Sequence, residues 1–172
     1  VPYFLSESEQ NLSTEFFNES LEIRKCIYEV TSDYNTLDKS IYNLFIQKIG
    51  ACRDKLNNLR ANLENLKAYE SNEDVKKEYN ALNLDYLGGS IYFDILKNDA
   101  GLLYGELSEQ EMIIKVEINK ELIANYLEIL DELESKYSDT LVVKNYQNYE
   151  LKKTRESLEK SLALYNNITL GQ

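Results

Sequence analysis

The sequence predicts an all-α protein, an elongated antiparallel helical hairpin or coiled-coil bundle with a small middle subdomain. Three observations predict it. Apolar residues recur at alternating steps of three and four through two segments of about 60 residues each, the spacing of a heptad seam. Each segment opens on a capping signal. One Pro and six Gly in 172 residues leave little to interrupt them. The chain reads as a single helical domain over 1–172.

The first helix is expected over 7–70. Ser6-x-x-Glu9 has the form of a capping box, and Leu12, Phe16 and Phe17 follow at helical spacing. The seam then runs Ile23, Ile27, Val30, Tyr34, Leu37, Ile41, Phe45, Ile49, Cys52, Leu56, Leu59, Leu63, Leu66. It slips by one residue near Phe45, as a skip in the heptad does. Two breaks are expected. One lies near 31–33, where Thr31, Ser32 and Asp33 prefer caps to helix interiors. The other lies near 45–50, where Gly50 weakens a helix by about 1 kcal/mol relative to Ala. Unbroken, this helix would span about 95 Å.

The second long helix is expected over 108–168. Ser108-x-x-Glu111 caps it, and its seam reads Ile113, Val116, Lys120, Ile123, Leu127, Leu130, Leu133 or Glu134, Tyr137, Leu141. Ser138-Asp139-Thr140 marks a candidate break near 138–140, after which Leu158, Leu162, Tyr165 and Ile168 resume the pattern. A second stripe, Ile114, Ile118, Leu122, Tyr126 and Ile129, calls for cover by a third helix.

The middle, 71–107, leaves the heptad. Val75, Tyr79 and Leu82 suit a short helix that Gly88-Gly89 would stop. Ile91, Phe93 and Ile95 alternate, and Lys97-Asn98-Asp99-Ala100-Gly101 resembles a turn. Short helices or a small β-hairpin both satisfy that pattern.

Composition bounds the chemistry. There is no His, so serine triads, Cys–His dyads and His-based zinc sites cannot be assembled from this chain alone. Asn98-Asp99-Ala100-Gly101 lacks the spacing of a calcium loop, and neither Gly88-Gly89-Ser90 nor Gly101-x-x-x-Gly105 is followed as a phosphate loop requires. Glu109, Glu111, Glu117 and Glu121 are expected to be solvated partners of Lys115 and Lys120, not a catalytic carboxylate pair. No catalytic residue, metal site or cofactor is expected.

The net charge of -11 is spread along the chain with no basic patch, which disfavours nucleic acid and anionic membranes. No stretch reaches the roughly 20 apolar residues that span a bilayer. The start, Val1-Pro2-Tyr3-Phe4-Leu5, has neither an initiator Met nor a basic signal segment, so it reads as an excised piece or a processed terminus.

Cys26 and Cys52 stand roughly 39 Å apart on one continuous helix, too far for a disulfide unless that helix breaks and folds back. Unpaired thiols fit a reducing compartment. Three Asn-x-Ser/Thr triplets, at Asn11, Asn18 and Asn167, are what chance supplies in so Asn-rich a chain.

The 14 Tyr carry most of the aromatic content. Leu21, Tyr28 and Tyr42 lie at heptad spacing beside the seam, and Tyr146 and Tyr149 lie at its edge further on. These five are the candidate protein-binding residues, because Tyr suits interfaces. The expected function is a non-catalytic scaffold or tether in a larger cytoplasmic or nuclear complex, working through helix–helix contacts or self-association. The alternative is a secreted or surface-exposed helical module of adhesin or secretion-tip type from a pathogen.

Overall fold

A computed structural model describes residues 7–66, 73–145 and 148–167. Among these the chain forms α1 (Glu7–Asn35), a 3-10 turn (Lys39–Ile41), α2 (Tyr42–Leu66), α3 (Glu73–Tyr104), α4 (Glu109–Lys136), α5 (Leu141–Asn145) and α6 (Asn148–Asn167). No strand occurs among the described residues. The protein is an all-α helical bundle.

The helix expected over 7–70 is two helices, and the break lies at neither expected place. Thr31 stays inside α1, where its hydroxyl bonds to the Ile27 carbonyl at 2.6 Å and lies 2.5 Å from the Tyr92 hydroxyl. Gly50 lies inside α2, which continues past it to Leu66. The chain turns at 36–38 instead. The Thr36 and Leu37 amides reach back to the Asp33 and Tyr34 carbonyls and close α1. Asp38 then takes an extended backbone, and its Oδ1 accepts from the Ser40 and Ile41 amides at 2.9 and 3.2 Å, a side-chain N-cap. The hydrogen bond from Ser40 holds the Asp38 carboxyl below the usual carboxylate range.

Specific pairs fix the packing register. Antiparallel α1 and α2 meet at Asp33–Lys48 (2.7 Å) and Tyr34–Phe45 (ring centroids 6.3 Å apart). Helix α3 runs parallel to α1, joined by Arg24–Asp85, Thr31–Tyr92 and the Tyr104 hydroxyl donating to the Leu37 carbonyl at 2.8 Å. The same α3 is antiparallel to α2 through Arg53–Asp94, and to α4 through Tyr92–Tyr126 (5.8 Å between centroids). Helix α6 returns along α4, where Arg155 bridges Asp131 at 2.7 Å and Glu134 at 2.9 Å. Helices α1 and α2, α2 and α3, and α3 and α4 pair antiparallel, so the longest described helix, α3, spans about 48 Å and no 95 Å arm forms.

The middle segment is therefore the centre of the bundle. Residues 73–104 form one helix of 32 residues with neither a stop at Gly88-Gly89 nor a β-hairpin. Helices α1, α2, α4 and α5 surround it. Tyr92, Phe93, Ile95, Leu96, Asp99, Ala100 and Gly101 are all buried, which erases the one-sided periodicity of an amphipathic helix. The glycines permit close approach. A Cβ on Gly88 would stand 2.6 Å from Tyr126 Cε2, and one on Gly89 would stand 3.3 Å from Leu56 Cδ1.

The fold-back also overturns the expectation of free thiols. Cys26 and Cys52 face each other across α1 and α2 with Cα atoms 5.8 Å apart and form a disulfide. Bending at 36–38 is the condition under which that bond becomes reachable.

The break expected near 138–140 is present. Helix α4 closes with the Tyr137 amide on the Leu133 carbonyl. Thr140 then caps α5 by accepting from the Val143 amide at 3.3 Å, and Glu78 of α3 accepts from the Leu141 amide at 2.8 Å. At the other end of α4, the expected cap is present: Ser108 Oγ accepts from the Glu111 amide at 3.2 Å. The expected cap at Ser6 and the seam residue Ile168 lie outside the described residues.

Candidate functional site

The candidate binding residues do not form one surface. Leu21 and Tyr28 lie one heptad apart on the outer face of α1, 49% and 69% exposed, while Ile23, Cys26 and Val30 on the opposite face fill the core. Tyr42 does not join them. It begins α2, beyond the turn at 36–38, and is half-buried with its ring 6.5 Å from Tyr104. The heptad count from Tyr28 to Tyr42 assumed a continuous helix, and the turn breaks it. Tyr146 lies outside the described residues, and of Tyr149 the structure describes the backbone, within α6.

Exposed apolar residues missed by that reading lie elsewhere. Leu44 is exposed at the start of α2 and borders a shallow depression with Ile41, Phe45, Asp33 and Lys48. Ile114 and Ile118 are exposed one turn apart on α4. Steps of four drift round a helix, so the same stripe reaches half-buried Leu122 and buried Tyr126 further along. The acidic residues Glu109, Glu111, Glu117 and Glu121 are exposed, and Glu117 pairs with Lys120 at 3.1 Å. No cluster of metal-ligating side chains occurs among the described residues.

A second feature, also missed, is polar and buried. Residues Val116, Asn119, Ile123, Tyr126, Leu130 and Leu133 form the buried seam of α4, so Asn119 and Tyr126 take the core positions expected for Lys120 and Leu127. Asn119 is wholly buried and Asp99 is 5% exposed. Asn119 Nδ2 lies 2.6 Å from Asp99 Oδ1, 3.1 Å from the Tyr165 hydroxyl and 3.3 Å from the Ile95 carbonyl. Asn98 donates to Asn119 Oδ1 at 3.1 Å, and the Tyr34 hydroxyl donates to Asp99 Oδ2 at 3.3 Å. One polar layer thus joins α1, α3, α4 and α6.

Burial pushes the Asp99 carboxyl up to about 7, against the hydrogen bonds from Tyr34 and Asn119, which favour the anion. The Tyr34 hydroxyl is raised, first by burial and then by the neighbouring carboxylate. A second, largely buried pair, Arg24–Asp85, joins α1 to α3 close enough to Tyr126 to act on its hydroxyl. Burial raises the Tyr126 hydroxyl as well, with Arg24 opposing.

Comparison with protein-family models, curated proteins and solved structures returns no match to this chain. No helix among the described residues is long and apolar enough to cross a membrane.

Proposed function

We propose that this chain is a non-catalytic helical module that binds another protein through the outer face of α1. The observation that carries this reading is the pair Leu21 and Tyr28, large side chains left in water at one-heptad spacing on α1, opposite the buried Ile23, Cys26 and Val30. Tyr is favoured at interfaces because it brings apolar area and a hydroxyl at small entropic cost. A partner helix laid along α1 would meet both residues. The net charge of -11 with no basic patch supports a protein partner over nucleic acid.

The Cys26–Cys52 disulfide favours the secreted or surface-exposed version of this module over a cytoplasmic or nuclear scaffold. Disulfides persist in oxidising compartments and are rare where glutathione keeps thiols reduced.

The test is the double substitution Leu21→Ser with Tyr28→Ser. Neither residue fills the core, so the thermal midpoint should stay near wild type. Losing two anchor side chains should weaken association about tenfold or more. Light scattering reads self-association, and cross-linking with mass spectrometry reads whether a distinct partner contacts this face. Unchanged association in a variant of native stability contradicts the reading.

A further inference from the structure

The Asp99 layer has more acceptors than its central amide can serve. Asn119 Nδ2 carries two hydrogens and faces three oxygens, on Asp99, Tyr165 and Ile95. Asn98 holds the amide in this orientation by donating to its oxygen. An ionised Asp99 is the strongest of the three acceptors, since charge-assisted hydrogen bonds are roughly twice as strong as neutral ones. The Tyr165 hydroxyl then competes for what remains. Tyr165 is also a buried anchor of α6, together with Leu158.

We propose that the Tyr34–Asp99–Asn119–Tyr165 layer is a protonation-dependent latch for the last helix. With Asp99 neutral, Asn119 is free to bond Tyr165 and α6 is held against α4. With Asp99 ionised, the amide is drawn to the carboxylate, an anion sits in the core, and α6 loosens.

The surroundings of Asp99 suit such a switch. Among the described residues the titratable groups that face it are tyrosines: Tyr34 from α1, Tyr92 on its own helix, and Tyr165 from α6 across Asn119, with Tyr104 next to Tyr34. Helix α4 contributes Asn119, which does not titrate. Among the described residues no Lys or Arg pairs with Asp99, so burial of the anion is uncompensated by an opposite charge. Protonation leaves a neutral layer in which Asp99 can donate to the Tyr34 oxygen.

The direction follows from linkage. An unfolded Asp ionises near pH 3.9, whereas in the bundle it holds its proton to about pH 7. Between these values the folded chain binds a proton that the unfolded chain lacks. This contribution to stability is complete below about pH 4 and is lost as pH rises through about 7. Acid should therefore tighten the latch and mild alkali should release it.

Hydrogen exchange on the whole chain tests this. On going from about pH 5.5 to about pH 8.5, and after correction for intrinsic exchange, amides of α6 should lose about tenfold protection or more. Amides of α2 should change little. In Asp99→Asn the α6 loss should disappear, because Asn keeps the shape and an acceptor oxygen but cannot ionise. Equal losses in α2 and α6, or an α6 loss unchanged in Asp99→Asn, would overturn the proposal. Should Asp99→Asn fail to fold, the carboxyl carbon shift of Asp99 in the wild type decides. A titration midpoint between about 6 and 8 supports the latch, and any midpoint outside that interval overturns it.

Discussion

Gly88 and Gly50 are both mid-helix glycines, and substitution should move stability in opposite directions. Gly88 faces Tyr126, whose ring is buried and also packs on Tyr92, so it has no room to yield to a new methyl group. Overpacking costs about 1–3 kcal/mol and outweighs the helix-propensity gain of about 1 kcal/mol at most. Gly88→Ala should therefore lower the thermal midpoint. Gly50 is exposed with nothing within 4 Å of an added Cβ, so Gly50→Ala should stabilise by about 0.5–1 kcal/mol. Calorimetry on the two variants checks the signs. Residue type misled the sequence reading where polarity or composition contradicts position. From Val116 to Leu130, steps of four then three pass through Lys120 and Leu127, steps of three then four pass through the buried Asn119 and Tyr126, and spacing alone does not separate the two. Buried Asp99 sits in a stretch whose Asn, Asp and Gly resemble a turn. Packing of this stretch against α1, α2 and α4 overrides that local preference.

At the scale of elements, helices buried on one face were the legible ones. In α2 the seam Phe45, Ile49, Cys52, Leu56 and Leu59 is buried as the heptad predicts. The cap at Ser108 and the break near 138–140 were also readable, because Ser, Asp and Thr state their backbone preferences locally. The α1–α2 turn was not placed, although the seam carried its mark. The one-residue slip near Phe45 is the junction of two registers that belong to separate helices, not a skip inside one. Helix α3 escaped because it packs on four helices, so buried residues stand at neighbouring positions and blur the alternation of apolar and polar faces. The α1–α2 hairpin also has an energetic signature. Its disulfide closes a loop with a sequence separation of 26, and loop-closure entropy puts its contribution at about 3.5 kcal/mol. Denaturant titration of the double variant Cys26→Ser, Cys52→Ser should show a loss near that size, with helicity retained in water. A loss below about 1 kcal/mol would mean that the hairpin does not depend on the bond.

At the scale of the whole molecule, three features act together: an up-and-down bundle around α3, a disulfide that clasps its first two helices, and an acidic surface from which Leu21 and Tyr28 of α1 stand out. The candidate site was legible only in part. Leu21 and Tyr28 share a face because they lie on one unbroken helix, while Tyr42 was assigned to that face by a count that crosses a turn. The polar layer was illegible because its members come from four helices, 34 to 165 in the chain, and only the tertiary fold brings them together. The central claim is that the chain folds back at 36–38 and joins Cys26 to Cys52. The most direct test is non-reducing peptide mapping of the full protein from its native source, with free thiols alkylated at harvest. The account predicts a single cross-linked species joining the Cys26 and Cys52 peptides, with neither cysteine alkylated. Recovery of both cysteines as alkylated, unlinked peptides would contradict it.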